Sequence, residues 1–109
     1  MNTGATLWWD AELPGIRYIE QTLLPAEYRV ANCCTVDELA SAIRTLAIRG
    51  APALGVAGGF GVALAAATCR EKNFDGFIAA VRREAERLRA TRPTAVNLGW
   101  GIDRVLSLL

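Results

Sequence analysis

The sequence predicts an α+β fold, in which a small antiparallel sheet of about three strands precedes a bundle of about four helices. Residues 6–33 contain short runs of aromatic and β-branched residues separated by turn signals, whereas residues 36–109 place apolar residues at helical spacing. A composition of 52% hydrophobic and 21% charged residues is typical of a chain with a hydrophobic core. The length of 109 residues fits a single domain, residues 1–109.

The predicted sheet begins with a hairpin. Residues 7–10 and 16–20 are rich in aromatic and β-branched side chains, and the pair Pro14-Gly15 between them favours a turn. A second break follows at Leu24-Pro25, because proline interrupts regular structure. Residues 28–32 form the third predicted strand.

Two helices are predicted between residues 35 and 70. Thr35 and Glu38 have the spacing of a capping box, in which the two side chains accept hydrogen bonds from N–H groups at the helix start. Gly50 ends this pattern, and Pro52 suits the first turn of a second helix that runs to about residue 70. The apolar stripe of the first helix comprises Val36, Leu39, Ala40, Ile43 and Leu46.

The second predicted helix is uncharged between positions 50 and 69, a length that suits a membrane span. Most of this segment is Ala and Gly, which contribute little free energy of transfer into the hydrocarbon core. We therefore predict a buried helix in a soluble core and no membrane association.

The last two predicted helices are amphipathic. The charged face of the third carries both signs of charge, which indicates a solvated surface and not a nucleic-acid site. Its apolar face comprises Phe74, Phe77, Ile78, Val81, Ala85 and Leu88. The fourth helix is predicted to start behind Thr94 as its cap, with Leu98, Ile102, Val105 and Leu109 on its apolar face. No stop signal follows it, so we expect the natural chain to continue beyond residue 109.

Charge and residue counts exclude several classes of function. A formal net charge of +1 provides no basic surface for nucleic acid, and the absence of histidine excludes His-dependent catalysis and His-ligated metals within these residues. The three cysteines lack the spacing of a zinc site or a disulfide framework, which favours a reducing, cytoplasmic location without a bound metal. Cys33 and Cys34 precede a capped helix, which can lower a thiol pKa, but we interpret them as structural.

Two segments have the chemistry of an anion site. Arg49 stands just before the helix that begins near Pro52, and Arg92 stands just before the last helix. Helix N-termini present unpaired N–H groups and the positive end of the macrodipole, and an arginine adds a charge-assisted fork. The candidate phosphate clamp comprises Arg49, Gly50, Ala51 and Arg92. The alternative is that both segments are ordinary helix entries with surface arginines.

Two further polar positions are weaker candidates for the same site. Thr94 and Asn97, at and one turn behind the predicted opening of the last helix, are possible substrate-adjacent residues. Asp103 is interpreted as a solvated partner of its neighbour Arg104.

Three segments resemble the family of methylthioribose-1-phosphate isomerases. Residues 48–65, which begin Ile48-Arg49-Gly50-Ala51-Pro52, resemble the signature segment of that family, and residues 92–98, Arg-Pro-Thr-Ala-Val-Asn-Leu, resemble its second signature. Residues 20–25 resemble an early D-Q-x-x-L-P element, with Glu20 in place of the usual Asp. The resemblance covers residues 7–109.

The resemblance implies that this chain is the amino-terminal domain of a two-domain enzyme, followed by a larger Rossmann-like domain. It implies conversion of methylthioribose 1-phosphate to methylthioribulose 1-phosphate in methionine salvage, without a cofactor, by a cytoplasmic protein that is a homodimer at full length. The catalytic Cys and Asp of the family belong to the larger domain, so no catalytic residue is expected here. By position, Arg49, Gly50, Ala51 and Arg92 match the phosphate-holding residues of the family.

Two other functions stay open at this point. The family is related to the regulatory subunits of translation initiation factor 2B, which predicts an interaction module without turnover. It is also related to ribose-1,5-bisphosphate isomerases, which act on a different sugar phosphate.

Overall fold

The computed structural model describes residues 6–109, which form one three-stranded sheet and four α-helices. The strands are β1 (Leu7–Asp10), β2 (Gly15–Ile19) and β3 (Val30–Cys33), and they pair antiparallel in the order β1-β2-β3. The helices are α1 (Val36–Arg44), α2 (Ala51–Thr68), α3 (Phe74–Arg89) and α4 (Val96–Leu106). The predicted α+β fold, a small antiparallel sheet followed by four helices, is confirmed.

Local contacts explain where the strands start and turn. Asp10 closes the turn between β1 and β2, because its carboxylate accepts from the N–H of Glu12 at 2.9 Å and from Arg17 Nε at 2.6 Å. A Cβ on Gly15 would stand 2.5 Å from the Cys33 carbonyl oxygen, so only glycine lets β2 begin beside β3. The third strand begins at Val30, two residues later than predicted, because residues 24–26 form a turn.

The helix α2 lies at the centre of the hydrophobic core. It contacts α1, α3, α4 and β1, and its buried residues include Leu54, Ala57, Val62, Leu64 and Ala65. By length and composition alone this helix could also cross a membrane. One continuous buried cluster joins the inner side chains of the sheet, such as Ile16, to the helices.

Helix ends differ from the predicted ones in three places. Thr35 caps α1 as predicted, since its Oγ1 accepts from Glu38 N at 3.1 Å, and the Glu38 carboxylate accepts from the preceding Cys34 N–H at 2.8 Å. Helix α1 ends at Arg44. Leu46 therefore leaves the predicted stripe: it has a φ of 68° and is 41% exposed. Helix α2 ends at Thr68, before the predicted residue 70, and Leu109 lies beyond the end of α4.

Ion pairs join α3 to its neighbours. Arg87 pairs with Asp37 of α1 at 2.5 Å, and Arg89 pairs with Asp103 of α4 at 2.5 Å. The prediction that Asp103 pairs with Arg104 is wrong, because adjacent residues of a helix point in different directions. The guanidinium of Arg89 instead holds the pKa of Asp103 below its usual range.

Candidate functional site

The opening of α2 is a glycine turn without a capping side chain. Gly50 is the N-cap residue, with a φ of 98° that only glycine adopts without strain, and a Cβ there would meet nothing within 4 Å. No side chain of residues 6–109 caps the first turn, and Pro52 has no N–H. The N–H groups of Ala51 and Ala53 are therefore available to an anion.

The opening of α4 also lacks a capping side chain. Thr94 was predicted to cap this helix, but the N-cap residue is Ala95 and the helix begins at Val96. The start lies later because Arg92 and Ala95 close a turn, in which the Ala95 N–H donates to the Arg92 carbonyl at 2.9 Å. Thr94 is an exposed residue of that turn.

The other two helices are capped in the usual way. Thr35 caps α1, and Asn73 Oδ1 accepts from the Gly76 N–H at 2.6 Å at the start of α3. Among the helices of the described chain, the two without a side-chain cap are therefore those that the sequence selected for phosphate binding. An anion can satisfy such N–H groups in place of a cap.

The two uncapped openings lie side by side. Asn97 Nδ2, in the first turn of α4, donates to the Ala51 carbonyl oxygen at 3.1 Å, in the first turn of α2. Further along, Gly55 approaches Gly101, and Gly59 approaches Val105. Contacts advance together along both helices, so α2 and α4 run parallel and their N-termini lie at the same end.

Glycine allows this close parallel packing. A Cβ on Gly58 would stand 2.5 Å from the Leu98 carbonyl oxygen, and a Cβ on Gly101 would overlap the Gly55 carbonyl. The backbones therefore approach more closely than side chains would allow. Parallel helices place two positive dipole ends next to each other, and a bound anion offsets that repulsion.

The two arginines of the predicted clamp are not engaged with acidic residues. Arg49 is exposed and Arg92 is half-buried, and neither forms an ion pair within residues 6–109. Arg49 directly precedes the uncapped opening of α2, and Arg92 lies in the turn before α4. Their guanidinium groups are available for a ligand.

Residues 20–25, the third segment that resembles the family, pack beside the loop that leads to Arg49. The Gln21 N–H donates to the Ala47 carbonyl at 2.9 Å. The carboxylate of Glu20 accepts from the Thr22 hydroxyl at 2.7 Å, at the start of a short 3-10 helix, Gln21–Leu23. Glu20 therefore serves the local turn that supports this loop.

A groove of about 940 Å³ begins at the two openings and follows the seam between α2 and α4. Its walls include Val56, Phe60 and Trp100, and Trp100 is 60% exposed. The Arg104 guanidinium carbon lies 5.4 Å from the centroid of the Trp100 ring. No pattern in the sequence predicted this groove, because it forms only when the two helices pack.

The buried cysteine is not a nucleophile. Burial raises the pKa of the Cys33 thiol to about 12, and burial likewise raises the pKa of Tyr18 to about 12. The possibility that the following helix lowers the thiol pKa is therefore wrong for Cys33. Cys34 and Cys69 are half-buried and form no disulfide. Residues 6–109 contain no group of three potential metal ligands.

The sequence is similar to a protein family model and to methylthioribose-1-phosphate isomerases of other organisms. A model of the initiation factor 2 subunit family matches residues 47–109. A putative methylthioribose-1-phosphate isomerase of Methanosarcina acetivorans is 49% identical over 104 residues, which are 95% of this chain and 30% of the relative. The methylthioribose-1-phosphate isomerase of Thermosynechococcus vestitus is 48% identical over 92 residues, 84% of this chain and 26% of the relative.

Solved structures share the fold. The translation initiation factor eIF-2B subunit delta of A. fulgidus superposes with a TM-score of 0.87 at 45% identity, over 94% of this chain and 29% of that one. The 5-methylthioribose 1-phosphate isomerase of Pyrococcus horikoshii superposes with a TM-score of 0.88 at 41% identity, over 94% of this chain and 28% of that one. The chain thus spans less than a third of each of these proteins.

Proposed function

We propose that this chain, which belongs to the initiation factor 2 subunit family, is the amino-terminal, phosphate-binding part of an aldose–ketose isomerase. The substrate is methylthioribose 1-phosphate, as the names of the relatives suggest. The product, by the family resemblance, is methylthioribulose 1-phosphate. The observation that carries the proposal is the pair of uncapped helix openings, side by side and each preceded by an arginine.

The proposed site holds the phosphate and leaves the chemistry to other residues. The N–H groups of Ala51 and Ala53, the Gly50 turn and the side chains of Arg49 and Arg92 surround the phosphate oxygens. Thr94 and Asn97 lie next to them. The catalytic groups, a Cys and an Asp by the family resemblance, belong to a Rossmann-like domain outside this chain.

The binding free energies favour one phosphate site that uses both arginines. A hydrogen bond to a charged group contributes about 1.5–3 kcal/mol, so two arginines supply about 3–6 kcal/mol. A micromolar dissociation constant requires about 8.2 kcal/mol. The remainder has to come from the helix N–H groups and from the part of the protein that covers the sugar.

The cellular location and the oligomeric state that we propose follow from the same family resemblance. We propose a cytoplasmic protein that acts on a small sugar phosphate as a homodimer at full length. It requires no metal, cofactor, nucleic acid or membrane for this activity.

Substrate kinetics of the full-length protein test the proposal. Arg49→Ala and Arg92→Ala are each expected to lower kcat/KM by about 10- to 150-fold, the equivalent of one charge-assisted hydrogen bond. Arg82→Ala is the matched control, because Arg82 is an exposed residue of α3 that forms no ion pair within residues 6–109. If all three variants have the kcat/KM of the wild type, the phosphate site is wrongly assigned.

A second candidate function is a regulatory or interaction module. The similarity to the eIF-2B subunit delta, at a TM-score of 0.87, favours it. It predicts binding to partner subunits and no turnover. A panel of methylthioribose 1-phosphate and ribose 1,5-bisphosphate separates the possibilities, since an isomerase for either sugar converts one of them and the module converts neither.

A further inference from the structure

Asn97 joins the two helix openings, and we infer that it is a positioning residue that holds them in register for one phosphate. The inference rests on the proposed function, because it concerns the same site. The sequence indicated Asn97 as a residue next to the substrate. Its amide donates to the Ala51 carbonyl oxygen at 3.1 Å.

This bond is the polar link between the two helices. Among residues 6–109, no other side-chain hydrogen bond joins α2 to α4. The rest of their contact consists of glycine backbone and apolar side chains, such as Gly58 against Leu98 and Ile102. Such contacts exclude water and pack the helices closely, and the Asn97 bond adds a directional polar contact at the two openings.

Small displacements matter for a shared anion. A slide by one residue along a helix amounts to about 1.5 Å, whereas hydrogen-bond distances vary by only about 0.5 Å. An anion between the openings needs N–H groups from α2 and the arginine before α4 at the same time. The Asn97 bond lies at this end of both helices, where it opposes sliding and the repulsion of the two positive dipole ends.

Two measurements on the full-length protein test the inference. The first is hydrogen exchange of the Leu54 amide in the absence of any ligand, since this N–H donates to the Gly50 carbonyl oxygen at 2.9 Å at the start of α2. The second is the dissociation constant of inorganic phosphate. The variants are Asn97→Ala, which removes the donor, and Asn97→Gln, which keeps an amide donor.

Thr35→Ala is the matched control. It removes the cap of α1, a bond of 3.1 Å between Thr35 Oγ1 and Glu38 N. Thr35 lies near Thr68, at the far end of α2 from the two openings. We expect this variant to be destabilised without a change at the proposed site, so it separates loss of position from loss of stability.

The inference predicts that Asn97→Ala speeds exchange at the start of α2 and weakens phosphate binding about tenfold. Asn97→Gln is expected to recover part of the affinity, and Thr35→Ala to bind phosphate like the wild type. Weaker binding with unchanged exchange overturns the inference in favour of direct contact between Asn97 and phosphate. Wild-type affinity in Asn97→Ala, or weakening by Thr35→Ala to the same extent, also overturns it. If Asn97→Ala binds phosphate like the wild type while Arg49→Ala binds it more weakly, only the inference is wrong. If the wild type binds no phosphate, both the inference and the proposed function are wrong.

Discussion

Two glycines of α2 are expected to respond in opposite ways to the same substitution. Gly58→Ala places a Cβ 2.5 Å from the Leu98 carbonyl oxygen and 3.0 Å from the Ile102 N, both backbone atoms of α4. Gly55→Ala places a Cβ 3.5 Å from the Asn97 carbonyl oxygen, an ordinary van der Waals distance. Both positions are inside the same helix, so the gain in helix propensity is the same.

The balance of two free-energy terms decides whether each variant is more or less stable than the wild type. Replacing glycine by alanine inside a helix stabilises by about 1 kcal/mol. At Gly58 the clash with backbone cannot be relieved by rotating a side chain, and α4 has to move away. Overpacking of this kind costs about 2–3 kcal/mol in a well-packed core, since Leu98 and Ile102 are fully buried. Gly58→Ala should therefore lose about 1–2 kcal/mol, whereas Gly55→Ala should gain up to about 1 kcal/mol.

Urea unfolding of the two variants and the wild type, followed by circular dichroism, measures this difference. The prediction is a lower midpoint for Gly58→Ala and an equal or higher midpoint for Gly55→Ala, with similar slopes for all three proteins. If Gly58→Ala were as stable as Gly55→Ala, the close backbone contact between α2 and α4 would be wrong. The side-by-side placement of their openings would lose its support.

Two further predictions concern the buried thiol and phenol. With a thiol reagent at pH 8, Cys34 and Cys69 should react readily and Cys33 only on unfolding, because Cys33 is 1% exposed and its pKa is raised; equal rates for all three would contradict its burial. The pKa values of Cys33 and Tyr18 are raised from 9.0 and 10.0 to about 12, so the folded state binds more protons above pH 9. The free energy of unfolding should therefore decrease as the pH rises from about 9 to 12, and urea midpoints at pH 8 and pH 10.5 measure this. Cys33→Ala should reduce that decrease, and an unchanged decrease would assign it to other groups.

Local signals in the sequence predicted the elements well. Thr35 and Glu38 have the spacing of a capping box, and the cap of α1 forms as predicted. The turn signal at Pro14-Gly15 separates two strands that do pair. Errors arose where local signals are weak: Leu46 has the right spacing for the α1 stripe, but the helix has already ended and the residue adopts a positive φ.

The arrangement of the site depends on packing between distant segments. The sequence predicted that Arg49 and Arg92 precede two helices, but not that α2 and α4 run parallel. That arrangement depends on backbone approach at Gly58 and Gly101, and a glycine in a helix gives no local sign of its partner. The pairing of Asp103 with Arg89 is likewise a contact between helices, 14 residues apart in the chain.

An NMR titration tests the central claim, a phosphate site at the two openings, most directly. The ¹⁵N-labelled full-length protein is titrated with methylthioribose 1-phosphate, and in parallel with methylthioribose, which lacks the phosphate. We predict saturable shifts of the amides of residues 49–53 and 92–97 with the phosphate ester and none with the free sugar. Shifts elsewhere, equal shifts with both compounds or no shifts at all would contradict the site.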